Sequence, residues 1–243
     1  MIRHLRRQIV TCERKTTLKT AFLFSGQGAQ TVGMGKDLYE ASPAAKSVFD
    51  RADAVLGRSL SKLCFEGPES DLTATANCQP AIYTTSMACL AAWLERNPGV
   101  EAVAAGGLSL GEYSAFASAG TFTFEDGLKL VAKRAALMDA ACHEAEGGMA
   151  AIIGGDPAVI ADVCTECGID VANYNSPGQI VISGVKELVL KACGILKERG
   201  VKRALPLNVA GAFHSRMKAP RPTSARARLS SSAHLRAGLA CQP

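Results

Sequence analysis

The chain has 243 residues, enough for one main domain with a smaller domain inserted into it. Hydrophobic residues make up 48% and charged residues 20%, which excludes a disordered or collagen-like chain. No apolar run approaches the roughly 18 residues needed to cross a bilayer. We therefore expect a soluble, cytoplasmic protein with no membrane partner.

The net charge of +5 is concentrated at the two ends of the chain. Residues 1–20 contribute +5 and residues 216–243 contribute +6, which leaves −6 for the body between them. Both ends lack the aromatic residues that nucleic-acid-binding segments use for base stacking. The charge pattern therefore predicts no nucleic-acid partner.

The nine cysteines show little short-range pairing. Only Cys164 and Cys167 form a C-x-x-C motif, and no second pair or nearby histidine completes a zinc site. We expect reduced thiols without a metal ion.

The first predicted element is a buried strand at Thr20–Phe24, which runs into a glycine turn. Residues 1–18 precede it as an unstructured, basic extension. This extension is either an Arg-rich transit peptide or translation from an upstream start, and the second reading is favoured.

Three further elements lead to the central glycine motif. Ser42 and Pro43 cap a predicted helix that continues to Ala54. A long, nearly all-apolar helix is predicted from Gln79 to Leu94, a composition typical of a buried helix. A strand at 102–107 and a helix at 112–119 then flank a turn that contains a serine.

After Gly148 the pattern changes to short alternating elements in the order β-α-β-β-α-β. The predicted elements are strands at 149–153, 171–174, 180–183 and 204–209 and helices at 157–167 and 185–199. This order is typical of a ferredoxin-like unit, here residues 148–209, inserted into a larger α/β domain formed by residues 19–147 and 210–220. Residues 221–243 lack acids and any apolar period, which predicts a disordered or foreign tail.

The turn Gly107–Gly111 has the sequence G-x-S-x-G, with Ser109 at its centre. Glycines on both sides allow a sharp turn between strand and helix that exposes the serine hydroxyl at a helix N-terminus. There the free N–H groups and the helix dipole favour developing negative charge. The alternative is an ordinary glycine-rich strand–helix turn without catalytic function.

A serine nucleophile needs a general base, and His214 is the best-placed of the four histidines. His4 and His234 lie in the two ends, and His143 lies in a polar helical stretch. His214 follows the last strand of the inserted unit, where a loop could reach the strand–helix turn. A histidine that only satisfies local packing is the alternative.

The glycine turn at Gly26–Gln30 matches neither nucleotide-binding pattern. Position 31 is Thr where the dinucleotide pattern needs Gly, and Met34 stands where a phosphate loop needs Lys. A backbone N–H of this turn, together with that of Leu110, would make a reasonable oxyanion hole.

Four ordered motifs resemble those of the malonyl-CoA:acyl carrier protein transacylase family, from about residue 19 to about residue 220. They are Phe22–Gln30, Gly107–Tyr113, Asn173–Gln179 and Gly211–Ser215. The resemblance implies an α/β fold with an α/β-hydrolase-like parallel-sheet core and an inserted ferredoxin-like βαββαβ subdomain.

The resemblance also implies roles for individual residues. Ser109 matches the nucleophile that takes the malonyl group, and His214 matches its base. Gln27 and Leu110 match the backbone oxyanion donors. Arg134, on the helix after the Gly107–Gly111 turn, matches the arginine that binds the malonyl carboxylate. Without the resemblance, Arg134 would be interpreted as a solvated charge on a helix. The planar, permanently charged guanidinium of arginine can bind a carboxylate through two hydrogen bonds, and an acetyl group would leave it unpaired.

Gln79, Asn173 and Asn175 match polar positions of the family's pocket. The implied reaction transfers a malonyl group from malonyl-CoA through a serine ester to the pantetheine thiol of acyl carrier protein, in fatty-acid biosynthesis. It needs no metal ion and no cofactor, since malonyl-CoA is a substrate. A serine esterase of α/β-hydrolase type and an inactive truncated fragment remain alternatives.

Two features depart from the family pattern. Leu108 precedes the nucleophile where many members have His, which we expect to tune the site. The family also continues beyond the His214 motif with a strand, helices and a carbonyl that orients the histidine. Nothing after about Pro220 resembles that part, so we expect a truncated or frame-shifted copy of an active parent.

Overall fold

A computed structural model describes residues 19–144, 146–207, 209 and 211–216. The predicted extension at 1–18 and tail at 221–243 lie outside the described residues, as do residues 210 and 217–220 of the segment expected to return to the core. The chain divides into two compact units, one ending at Ala140 and the other beginning at Ala141. In the described part, no helix combines the length and the apolarity that a membrane crossing requires.

The described residues of the first unit form two strands and most of the helices seen in the structure. In chain order its elements are β1 (Thr20–Phe24), α1 (Lys36–Ala41), α2 (Pro43–Leu56), α3 (Leu60–Glu66), α4 (Glu69–Thr73), α5 (Thr75–Arg96), β2 (Ala102–Gly107), α6 (Gly111–Ser118) and α7 (Phe124–Glu144), the last of which extends past Ala140. The predictions of β1, α2, β2 and α6 are confirmed within two residues at each end.

Strands β1 and β2 pair in parallel, with Phe22 opposite Ala105 and Phe24 opposite Gly107. Parallel pairing brings the carboxyl ends of both strands to the same edge. The turns that follow them are therefore neighbours, and the Leu108 N–H donates to the Phe24 carbonyl at 3.3 Å.

The core of the first unit lies where α2 packs against α5. Phe49 is fully buried, and its ring centroid lies 5.0 Å from that of Phe65. Tyr83 is also fully buried, stacks on Phe124 at 5.5 Å and donates its hydroxyl to the Phe124 carbonyl at 3.2 Å. These contacts fix the long helix α5 against the start of α7.

Helix α5 begins at Thr75, four residues before the predicted start at Gln79. A Gln-Pro pair suggests a helix start because proline favours the first helical position. Here Pro80 lies inside the helix. The preceding turn forms because the N–H groups of Asn77 and Cys78 both donate to the Ala74 carbonyl at 2.8 Å.

The described residues of the second unit form four strands and two further helices. They are β3 (Gly147–Ile153), α8 (Pro157–Cys167), β4 (Asp170–Ser176), β5 (Gln179–Val185), α9 (Lys186–Glu198) and β6 (Arg203–Pro206). The sheet order is β4-β5-β3-β6, and every neighbouring pair is antiparallel. Fully buried side chains at Ile152, Ile182 and Leu196 belong to the core between this sheet and the helices.

All six predicted elements of this unit are present, but the last strand is shorter than expected. The prediction placed it at 204–209, and β6 ends at Pro206. One backbone bond continues beyond the strand, from the Leu207 N–H to the Met149 carbonyl at 2.8 Å.

Candidate active site

Ser109 lies in the sharp turn between β2 and α6, and its φ of 54° is in the left-handed region. The flanking glycines are required by close backbone approach. A Cβ on Gly107 would collide with the backbone of Gly111, and a Cβ on Gly111 would lie 2.8 Å from the Ser25 carbonyl oxygen. The G-x-S-x-G sequence therefore forms the strand–turn–helix elbow that it predicts.

The turn after β1 presses against this elbow. A Cβ on Gly26 would lie only 2.5 Å from the Leu108 carbonyl oxygen, so the approach needs glycine. Among the described residues, the backbone N–H groups of Gln27 and Leu110 donate to no acceptor. Leu110 also caps the N-terminus of α6, where the helix dipole favours negative charge.

Arg134 reaches the elbow from α7. Its Nη2 donates to Ser109 Oγ at 2.8 Å, and its Nη1 donates to Gln79 Oε1 at 2.5 Å. The guanidinium also lies 5.8 Å from the centroid of the Tyr113 ring. The sequence placed Arg134 on the helix after the elbow, and the structure places it on the second helix after it, because α6 ends at Ser118.

Gln79 links the arginine to the glycine turn. Its side chain is fully buried, and its Nε2 donates to Gln27 Oε1 and approaches Met138 Sδ, each at 3.3 Å. The amide thus uses its oxygen for Arg134 and its nitrogen for Gln27. Four predicted site residues are joined in one chain of hydrogen bonds, from Gln27 through Gln79 and Arg134 to Ser109.

The charge environment of the Arg134 guanidinium favours the binding of an anion. Burial lowers the pKa of Arg134 from its ordinary value, because the half-buried cation has lost part of its hydration. No carboxylate of the described residues lies within ion-pair distance of it. A carboxylate on a bound molecule would supply that missing counter-charge.

Three predicted site residues belong to the second unit. Asn173 and Asn175 lie on β4, the first half-buried and the second exposed, and Asn175 Nδ2 donates to Gln179 Oε1 at 3.4 Å. His214 is exposed in a turn, with a left-handed φ of 58°. Ser109 and His214 are the two non-glycine residues with positive φ in the described chain.

Met138 and Tyr113 line the Arg134 network but had no predicted role. Met138 follows Arg134 by four positions on α7, and Tyr113 follows Ser109 by four positions, at the start of α6. Helical spacing from Arg134 would have indicated Met138, whereas Ser109 lies in the turn before α6 and gives no such signal for Tyr113. Within the described ranges, no cluster of three or more His, Cys, Asp or Glu side chains could hold a metal ion.

The fold and this site define an α/β protein with a serine on a strand–turn–helix elbow and an arginine bonded to its hydroxyl. The chain matches the family described as acyl transferase domain over residues 21–237. It belongs to that family.

Relatives and solved structures agree with this membership. The malonyl CoA-acyl carrier protein transacylase of Bacillus subtilis strain 168 is 49% identical over 207 residues, which cover 83% of this chain and 65% of the relative. A crystal structure of malonyl CoA-acyl carrier protein transacylase from Clostridium perfringens superposes with a TM-score of 0.76 at 45% identity, covering 81% of this chain and 63% of that one.

A further similar structure is a malonyl-transacylase in complex with its type II PKS acyl-carrier protein, with a TM-score of 0.76, 40% identity and coverage of 80% of this chain and 64% of that one. The chain thus spans slightly less than two thirds of the length of these proteins.

Proposed function

We propose that this chain transfers a malonyl group from malonyl-CoA to the pantetheine thiol of acyl carrier protein, through a malonyl ester on Ser109, in fatty-acid biosynthesis. The main support is the hydrogen bond between Arg134 and Ser109. A half-buried arginine without a carboxylate partner among the described residues donates to the hydroxyl of the elbow serine at 2.8 Å. A thioester held by that arginine through a distal carboxylate would have its carbonyl at the serine.

In the first half-reaction, Ser109 Oγ attacks the thioester carbonyl and its proton passes to His214. The C–S bond then breaks, and CoA leaves as a thiol with the proton from His214. In the second half-reaction, the pantetheine thiol gives its proton to His214 and attacks the ester. Ser109 recovers its proton as the C–O bond breaks. These steps use no cofactor.

The oxyanion of each tetrahedral intermediate is assigned to the backbone N–H groups of Gln27 and Leu110. Both groups lack a protein acceptor among the described residues, which suits them to an anion that exists only during the reaction. Gln79 is assigned to the substrate pocket together with Asn173 and Asn175.

The proposed architecture is an α/β-hydrolase-like core with an inserted ferredoxin-like subdomain. Support comes from the parallel β1–β2 pair and from the antiparallel order β4-β5-β3-β6, which the β-α-β-β-α-β unit adopts. We assign residues 19–147 and 210–220 to the core and 148–209 to the subdomain. A cytoplasmic location stays a prediction.

An assay that measures malonyl transfer and malonyl-CoA hydrolysis side by side tests the proposal. With holo acyl carrier protein as acceptor, we expect transfer to exceed hydrolysis and Ser109→Ala to abolish both. Hydrolysis without transfer would favour the esterase alternative. No turnover and no labelling of the folded chain would favour an inactive fragment.

A further inference from the structure

The turn that carries His214 is held on both sides of the histidine. On one side, the backbone nitrogen of Ala212 lies so close to Gly147, the first residue of β3, that a Cβ on Gly147 would collide with it. On the other side, Arg216 donates from its backbone N–H and from its Nε to the two carboxylate oxygens of Asp170, each at 2.6 Å. His214 lies between these two contacts.

The backbone conformation of His214 explains why such contacts matter. Its φ of 58° is one that a non-glycine residue keeps only when the surrounding structure holds it. Within the turn, the Ser215 hydroxyl donates to the Ala212 carbonyl at 2.7 Å, but this local bond does not attach the turn to the sheet. Gly147 and Asp170 provide that attachment.

Asp170 is itself firmly placed. Helix α8 ends at Cys167 and is capped by Gly168 in the left-handed conformation, and the next N–H, that of Ile169, donates to the Cys164 carbonyl at 2.9 Å. The Ile169 side chain is 2% exposed, which fixes the chain on the core. Asp170 then begins β4, opposite Ser183 of β5. Its carboxylate is therefore presented from a rigid corner of the sheet.

We infer that Asp170 is a positioning residue for His214, acting through the backbone of Arg216. The inference rests on the proposed function, in which His214 is the general base. The backbone N–H is the more important donor because the Arg216 side chain is 81% exposed, so water screens its ion pair with the 20% exposed Asp170 side chain.

Four variants separate the contribution of the backbone bond from that of the ion pair. Asp170→Ala removes both bonds, Asp170→Asn keeps a neutral acceptor, and Arg216→Ala removes only the side-chain bond. Glu166→Ala is the matched control, because it breaks another exposed carboxylate–arginine pair of the same unit, Glu166–Arg199 at 2.7 Å.

For malonyl transfer we expect Asp170→Ala to lower kcat about tenfold or more, since a hydrogen bond to a charged group is lost. The KM for malonyl-CoA should stay within about twofold, because the proposed carboxylate site at Arg134 is untouched. Arg216→Ala should lower kcat by no more than about fivefold, the upper end of the range for an exposed ion pair. The kcat of the double variant Asp170→Ala/Arg216→Ala should be no lower than that of Asp170→Ala, and Glu166→Ala should match the natural chain.

Backbone hydrogen exchange at position 216 gives a second readout that needs no activity. We expect this N–H to be protected in the natural chain, in Arg216→Ala and in Glu166→Ala, and to exchange at least about tenfold faster in Asp170→Ala, with Asp170→Asn between them. If Asp170→Ala does not fold, the same two measurements on Asp170→Asn decide the question.

Two results would overturn the inference. One is exchange of this N–H in the natural chain at the rate of an unstructured peptide. The other is an Asp170 variant whose exchange and kcat match those of Glu166→Ala. A natural chain that transfers no malonyl group would instead count against the proposed function, and the exchange data would then decide alone whether Asp170 holds the turn.

Discussion

Replacing Arg134 with Ala removes the guanidinium that bonds both Ser109 Oγ and Gln79 Oε1, at 2.8 and 2.5 Å. In the proposed complex this fork binds the malonyl carboxylate. Charge-assisted hydrogen bonds contribute roughly 1.5–3 kcal/mol each. If two such bonds are lost, and non-additivity keeps the total near 3–4 kcal/mol, kcat/KM for malonyl-CoA should fall roughly 10²- to 10³-fold.

The assay compares initial rates of transfer from malonyl-CoA and from acetyl-CoA. Acetyl-CoA has no distal carboxylate, so Arg134→Ala should change its kcat/KM by no more than about threefold. Arg134→Lys keeps the charge without the bidentate fork and should fall between the natural chain and Arg134→Ala. Equal losses with both thioesters, in a variant whose circular dichroism and Tm are unchanged, would refute the assignment.

Four further predictions concern the elbow, the core and the thiols. Gly111→Ala should abolish labelling of the elbow serine and lower the Tm, because its Cβ would collide with backbone carbonyls; normal labelling would contradict the elbow geometry. Phe49→Ala should cost about 3–5 kcal/mol in urea unfolding, since this ring is fully buried; a loss below about 1 kcal/mol would contradict its place in the core. Burial raises the pKa of the Cys78 thiol to about 11, so iodoacetamide at pH 8 should modify the exposed Cys89 before the buried Cys78. Peptide mass spectrometry checks the order, and earlier modification of Cys78 would contradict it. The same raised pKa means that unfolded chains lose the Cys78 proton first, so stability should fall as pH rises from 9 towards 11 and fall less steeply in Cys78→Ala.

The elbow could be predicted because a short local sequence determines its backbone geometry. Only glycine fits at Gly107 and Gly111, so the spacing of two glycines around Ser109 encodes the turn directly. The six elements of the second unit were equally predictable, because short apolar segments alternate there with turn residues.

Interactions between distant segments were not predictable from residue patterns alone. Arg134 reaches Ser109 across 25 positions, and Gln79 reaches Arg134 across 55. The family resemblance predicted these site residues. The bond from Gln79 to Gln27 depends on tertiary packing, which residue patterns do not show. The early start of α5 has a similar cause, because local turn bonds and burial outweigh the preference of Pro80 for a first helical position.

In the proposed function, Ser109 carries the malonyl group between donor and acceptor. Brief incubation of the chain with malonyl-CoA, acid quenching and peptide mapping by mass spectrometry test it directly. We expect a malonyl ester on Ser109 that disappears when holo acyl carrier protein is added before the quench, with the malonyl group appearing on the carrier. A malonyl group on another residue, or none on Ser109 in a folded chain, would contradict it.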